Sequence, residues 1–276
     1  MHSSEQFNRK KSNLVNIVAF LLGFFGAFIL YTLSAYFAEA LGSDNVGVFY
    51  IVSYAASFLS LFFMRSMIRK IGRARLLYLS LGLSVLCLAL LLHVSNPWIP
   101  VLLLIAFLIF DNVSWVALDI VLENYSSDSM SGRIRGLHLA TLNTGFMLAP
   151  FCATFILERF GYTGIFFSML IGYVIVFLFS IVFFRNDNTS LRENLDPERA
   201  FKKLLREKNL FLIYLISLSL EFFYAVMTIY TSLRLLDIGF SWGDIGIIFT
   251  VMLIPFVILQ YPLGIIADKK IGRAHV

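Results

Sequence analysis

Phe24-Phe25-Gly26-Ala27, leading into Leu30-Tyr31-Thr32, returns as Phe222-Phe223-Tyr224-Ala225 leading into Ile229-Tyr230-Thr231, 198 to 199 residues later. The offset holds further along the chain. Val46-Gly47-Val48 is echoed by Ile245-Gly246-Ile247, and Arg69-Lys70-Ile71-Gly72-Arg73-Ala74 by Lys269-Lys270-Ile271-Gly272-Arg273-Ala274, at 199 and 200 residues. Short apolar matches are individually cheap in a hydrophobic chain, but a common offset is not. The sequence therefore carries an internal duplication, and such repeats decide a fold before any single element does.

The solvent of that fold follows from composition. Of 276 residues, 59% are apolar and only 14% charged, against about 45–50% and about 25% in an ordinary soluble domain. With 29 Phe and a mean hydropathy of +0.83, the chain is neither a water-soluble globule nor a disordered one. A helix needs about 20 apolar residues to cross roughly 30 Å of hydrocarbon. Eight runs of that kind are present, at 14–36, 46–64, 76–94, 99–122, 136–157, 162–184, 209–233 and 243–266. The first is long for a signal peptide, lacks a small-x-small cleavage site and leads straight into a second span, so it is expected to stay in the mature protein. Cys87 and Cys152 both lie inside apolar runs, where they read as small packing residues rather than as a disulfide or a metal site. No cofactor is expected.

The basic residues orient the spans, because cytoplasmic loops near span ends are enriched in Lys and Arg. One alternating set of loops holds 20 of the 22: Arg9, Lys10 and Lys11; Arg65, Arg69, Lys70, Arg73 and Arg75; Arg133 and Arg135; seven between Arg185 and Lys208; and Lys269, Lys270 and Arg273. The other set holds Arg159 and Arg234. The N-terminus and the 185–208 segment are thus expected in the cytoplasm, in a protein of the plasma (inner) membrane. The net charge of +5 needs no nucleic-acid partner; a basic inner face against lipid headgroups accounts for it.

Matched runs that lie six spans apart, with basic turns after the second of each set, resemble the major facilitator superfamily of secondary transporters. That resemblance implies an all-α polytopic membrane protein of twelve helices, six in each of two bundles about a central site, of which eight are present here. On this reading 1–184 is the N-terminal bundle, 185–208 the cytoplasmic linker, and 209–276 the start of a C-terminally truncated second bundle, so that the fragment alone is not expected to transport. Ile271–Val276 also matches what a common sequencing adapter encodes, so the tail reads either as native sequence or as an artefact of the read.

Three motifs carry the resemblance. The family's Gly-x-x-x-Asp-Arg-x-Gly-Arg type turn between spans 2 and 3 corresponds to Arg65-Ser66-Met67-Ile68-Arg69-Lys70-Ile71-Gly72-Arg73, which keeps the basic half but lacks the glycine and aspartate. Its second copy keeps Gly264 and Asp268, followed by Lys269 and Lys270. The glycine pattern of span 5 appears as Gly136, Gly145, Ala149-Pro150 and Ala153-Thr154, with three glycines replaced; Gly145 and Pro150 then read as a hinge or, equally, as a kinked packing helix. By analogy with the family, Arg69, Arg73, Asp119, Glu123 and Asp268 form a cytoplasmic gate. The arginine that family members often carry in span 4 has no counterpart between Trp98 and Glu123, and Asp111 stands near its place.

Ionisable groups at bilayer depth cost about 2.5–3.5 kcal/mol each on insertion scales and mark function by default. Asp111, with Asn112 beside it and Trp115, Asp119 and Glu123 at spacings of four, forms one polar stripe along span 4. Glu221 sits mid-depth in span 7. Asp111 and Glu221 are the candidates for proton coupling or for holding a cationic substrate, with Asn112, Asn143, Tyr31 and Tyr230 as cavity-lining candidates; for each the alternative is interhelical hydrogen bonding. Trp98 and Trp242, at outer span ends, fit interfacial anchors. The expected activity is alternating-access transport of a small solute of unknown identity, ion- or proton-coupled, by a monomer. The rival readings are a transport-inactive scaffold or sensor and, less well supported, an intramembrane enzyme: Asp244 is far in depth from Asp111, and no His-Glu-x-x-His, Gly-x-Ser-x-Gly or nucleotide loop is present.

The topology is checked by placing a cysteine at position 196 in intact cells. It is expected to stay unlabelled by an impermeant thiol reagent added outside; labelling from outside would invert the assignment.

Overall fold

A computed structural model describes residues 9–42, 46–94, 98–123, 125, 131–184 and 197–274. These are helical apart from short turns, and among them no strand is present. The first expected span is two helices, α1 (Arg9–Leu30) and α2 (Leu33–Leu41), separated by a turn at Tyr31 and Thr32. The Thr32 hydroxyl donates back to the carbonyls of Phe28 and Ile29 (3.2 and 3.3 Å), which gives the broken turn a local alternative to the helix ladder. Spans 2, 3 and 4 are α3 (Gly47–Ile71), α4 (Arg73–Leu91) and α5 (Trp98–Glu123). Gly72, at φ +86° and extended ψ, breaks α3 from α4 in a conformation that disfavours side chains with a Cβ.

Spans 5 and 6 form one long element, α6 (Ser131–Phe184), whose only non-helical residue is Gly161 at φ +63°, ψ −166°. Two contacts show that α6 doubles back there. Gly145 lies against the α1 backbone at Phe20 and Phe24, and Gly172 against the ring of Phe25. In a straight helix positions 145 and 172 would be about 40 Å apart, yet both touch the same turns of α1. Residues 131–160 and 162–184 are therefore two antiparallel arms, and with α8 (Lys208–Asp237) and α9 (Trp242–Ala274) the eight expected crossings are all present. The short amphipathic α7 (Pro197–Arg206) precedes α8. Of the expected linker, residues 185–196 lie outside the described residues, as do residues 1–8 and the last two of the tail.

In lipid there is no hydrophobic drive to bring helices together, so close backbone approach and interhelical hydrogen bonds take over. α1 lies between both arms of α6, while α4 packs on α5 and on the second arm, where Gly82 accommodates Phe177. The most extensive contact pairs the first arm of α6 with α9 in antiparallel fashion. Gly132 and Gly136 meet Gly264 near one end, and Thr154 and the Pro150 carbonyl meet Gly246 near the other. α8 is different. Residues 211–223 are all exposed, and its far half reaches Tyr31, α2 and the start of α3 at Gly47.

A Cβ at Gly145 would lie 2.5 Å from the Phe20 carbonyl oxygen and 2.7 Å from the Phe24 nitrogen, both rigid backbone atoms. Gly145→Val is expected to destabilise by about 1–3 kcal/mol, and Leu148→Val, on the exposed side of the same arm, by less than about 0.5 kcal/mol. Thermal unfolding in detergent compares them; equal melting would show that α1 and α6 are not in backbone contact.

Candidate functional site

The centre of the molecule is built around Asp111. A helix places residues four apart on one face, so Trp115 sits one turn below and its Nε1 donates to Asp111 Oδ2 at 3.1 Å. The second donor comes from across the bundle: the hydroxyl of fully buried Tyr173, on the second arm of α6, donates to Asp111 Oδ1 at 2.6 Å. Phe107 holds the Tyr173 ring edge-on at 5.2 Å. On the α1 side, Gly26 leaves the space that the pair needs, since a Cβ there would be 3.0 Å from the Tyr173 hydroxyl and 4.0 Å from Asp111 Oδ2. Among the described residues, each carboxylate oxygen thus accepts one hydrogen bond, from an uncharged donor.

The rest of the span-4 stripe disperses. Asn112 donates to the Leu108 carbonyl (2.8 Å) and to Ser57 of α3 (3.2 Å), and Ser114 donates to Ser80 of α4 (2.8 Å). These side chains tie α5 to its neighbours. Nearer the end with the basic clusters, Asp119 faces His138, whose Nε2 is 3.4 Å from Oδ1 and whose Nδ1 is 3.1 Å from Asn16 Oδ1. His138 is buried, whereas the Asp119 side chain is 71% exposed.

Glu221 projects from the exposed half of α8. Tyr224 follows Glu221 by three residues, about one turn further along α8. The Tyr31 and Tyr224 hydroxyls are 3.3 Å apart, Tyr31 packs on Phe249 of α9 at 4.4 Å, and the Tyr230 hydroxyl closes on Gly47. Tyr31 and Tyr230 therefore stand where α8 and α9 meet the first helices.

The α6–α9 pair is tied at both ends by carboxylates on helix N-termini, where unpaired backbone N–H groups and the helix dipole favour negative charge. Asp268 of α9 accepts from the N–H groups of Gly132 and Arg133 at the head of α6, both at 2.8 Å. At the opposite end Glu158 of α6 accepts from the Gly243 N–H at the head of α9, at 2.8 Å. Between them Asn143 donates to Gln260 at 2.8 Å. At its own head α9 also has a reciprocal cap, with Ser241 and Asp244 exchanging side-chain-to-backbone hydrogen bonds at 3.1 and 3.2 Å. Helix α6 runs on through Pro150, whose carbonyl accepts from Thr154 at 2.9 Å. Arg69 is exposed at the end of α3, and Arg73 is buried at the head of α4.

A family model described as Major Facilitator Superfamily matches residues 15–275. The chain belongs to that superfamily. No individual curated protein matches it. Membership makes the molecule a membrane transporter and an integral, multi-pass protein, and it gives the duplicated helical set its meaning.

For this transporter, sequence reasoning found Asp111 and placed Trp115 on its face, but did not find Tyr173. Tyr173 lies in a long apolar run, where a lone polar group at depth was the available signal; His138 stands between Arg135 and Thr141, near the basic end, where a polar residue draws no notice. Removing the Tyr173 hydroxyl leaves Asp111 Oδ1 without its donor. Tyr173→Phe is expected to cost about 1.5–3 kcal/mol in detergent unfolding, and Tyr78→Phe, which contributes no described hydrogen bond to the site, close to nothing. Equal stability of the two variants would remove the Tyr173 hydroxyl from the account of Asp111.

Proposed function

We propose that the protein is a secondary active transporter that moves a small solute by alternating access, with Asp111 as the mid-depth carboxylate at which substrate or a coupling proton is held. The observation that carries this is the fixed carboxylate itself: both oxygens are oriented by neutral donors from two helices, and among the described residues no ion pair joins Asp111. A buried charge with that arrangement is costly as mere packing.

The packing of α8 supports the direction of motion. Thr228 and Ser232 are buried and Tyr224 meets Tyr31, whereas residues 211–223 stand clear of the first helices. The exposed half of α8 lies toward the end with the basic clusters, which the Lys/Arg distribution assigns to the cytoplasm. Transport requires the Tyr31–Tyr224 contact to part while the basic-end halves approach, with the α6–α9 pair as the axis. Asp268 and Glu158, one at each end of that axis, are its natural stops.

Spin labels on the full-length protein test this. One pair, at Met67 and Leu212, spans the basic end, and a second, at Val48 and Ile238, spans the other; all four positions are exposed. A shift between pH 5.5 and 8 or addition of substrate is expected to shorten one distance as the other lengthens, and Asp111→Asn to remove the response to pH. Distances that stay fixed at both ends under every condition would make the protein a rigid scaffold.

A further inference from the structure

We infer that α7 (Pro197–Arg206) is a docking surface for anionic lipid: it lies flat in the headgroup layer at the basic end of the molecule, with its apolar side on the acyl boundary and its Lys and Arg side chains on lipid phosphates. This goes beyond the transporter reading and does not depend on it.

The pattern of α7 is the first argument. At about 100° per residue, the positions of Ala200, Phe201, Leu204 and Leu205 fall within about 140° of arc, and those of Glu198, Arg199, Lys202, Lys203 and Arg206 within the opposite 140° or so. No charged position of α7 falls on the apolar arc. A short helix divided this sharply, with low overall hydrophobicity, belongs in an interface and neither crosses a membrane nor packs in a core. From Pro197 to Lys208 five residues are basic and two acidic, so the polar side complements an anionic leaflet. Each Lys or Arg held near such a surface adds about 5-fold to binding. A soluble phosphate would match the cationic arc but leave the apolar one in water; a bilayer surface matches both.

Position is the second argument. Glu207, extended at φ −93° and ψ 102°, stands between α7 and α8, so α7 turns off the α8 axis and does not prolong it into water. Leu210, the first apolar residue of α8, follows Arg206 by four positions, about 6 Å of helix rise. That distance keeps α7 at the depth of the headgroups. Lys202, Lys203 and Arg206 are exposed, Leu205 is 58% exposed, and the adjoining wall, residues 211–223 of α8, is exposed as well. A helix of ten residues is marginal in water on its own, and a lipid surface supplies the burial that holds it. The pair from Lys203 Nζ to Glu207 at 3.9 Å is exposed on both sides, so it contributes little and does not keep Lys203 from a phosphate.

The test uses the intact chain in nanodiscs, with Cys87→Ala and Cys152→Ala and one new thiol, Leu205→Cys or Arg206→Cys, bearing a fluorophore. The discs are phosphatidylcholine alone or mixed with phosphatidylglycerol, and quenching by a nitroxide on the lipid acyl chain is compared with quenching by aqueous iodide. In the mixed discs the acyl nitroxide is expected to quench the label at 205 about 3-fold or more above the label at 206, and iodide to show the reverse order. Lys202→Glu with Lys203→Glu, both at exposed positions, should bring the label at 205 down to the level of 206, as should pure phosphatidylcholine or high salt. Lipid quenching at 205 that is indifferent to lipid charge and to both substitutions would overturn the inference, since apolar insertion alone would explain it. So would a label at 205 as open to iodide as that at 206, which would put α7 in water. Protection of 205 from both quenchers would also overturn it, because a protein surface would then cover the apolar arc. None of these outcomes alters the end-to-end distances by which transport is judged.

Discussion

Backbone-to-backbone contact between helices, permitted by glycine, is the constraint on which the arrangement depends. Lipid tails are as apolar as leucine, so apolar surface alone cannot choose one helix partner over another. Gly145 lets the first arm of α6 touch the α1 backbone, Gly172 takes the ring of Phe25 on the second arm, and Gly132 and Gly136 let α9 lie against α6 at Gly264. Once α1 is pinned between the two arms, Gly161 must carry the reversal, and its left-handed φ with nothing near the missing Cβ suits that place. Gly26 then faces Asp111 and Tyr173. The spacing that brings helices together thus also sets the size of the central site.

The α6–α9 pair adds directionality to this close packing. Two antiparallel helices present their N-termini at opposite ends, and here each end receives a carboxylate from the other helix, Asp268 in one case and Glu158 in the other. Such contacts are charge-assisted and local, so each can be broken without disturbing the glycine contacts between them. Asp119 with His138 is a further contact at the basic end, joining α5 to α6 beside Asn16 of α1.

Asp111 shows how a single carboxylate can join two helices. Its hydrogen bonds to Trp115 and Tyr173 join α5 to α6, which is the packing role that the sequence allowed as the alternative. Both donors are neutral, however, and among the described residues no ion pair joins Asp111; a packing role alone would be served as well by an amide. Asn112, one residue on, is that amide: it joins α5 to α3 at Ser57 and keeps no charge.

The sequence by itself determined the solvent, the number of crossings, the duplication and the superfamily, because each is written in one-dimensional quantities: the length of apolar runs, the alternation of Lys and Arg, and the constant offset between Phe24-Phe25 and Phe222-Phe223. It also marked Asp111 and Glu221, since a charge inside an apolar run stands out without any knowledge of its neighbours. Tertiary structure alone decided what those charges touch. Tyr173 is 62 residues from Asp111, Gln260 is 117 from Asn143, and Asp268 is 136 from Gly132; nothing local in the chain joins them. The face that a helix turns toward a partner depends on which glycines meet across the contact. In a helix apolar on all sides no hydrophobic stripe reveals that face, so the polar groups on α5 read as one stripe although they divide among three neighbours.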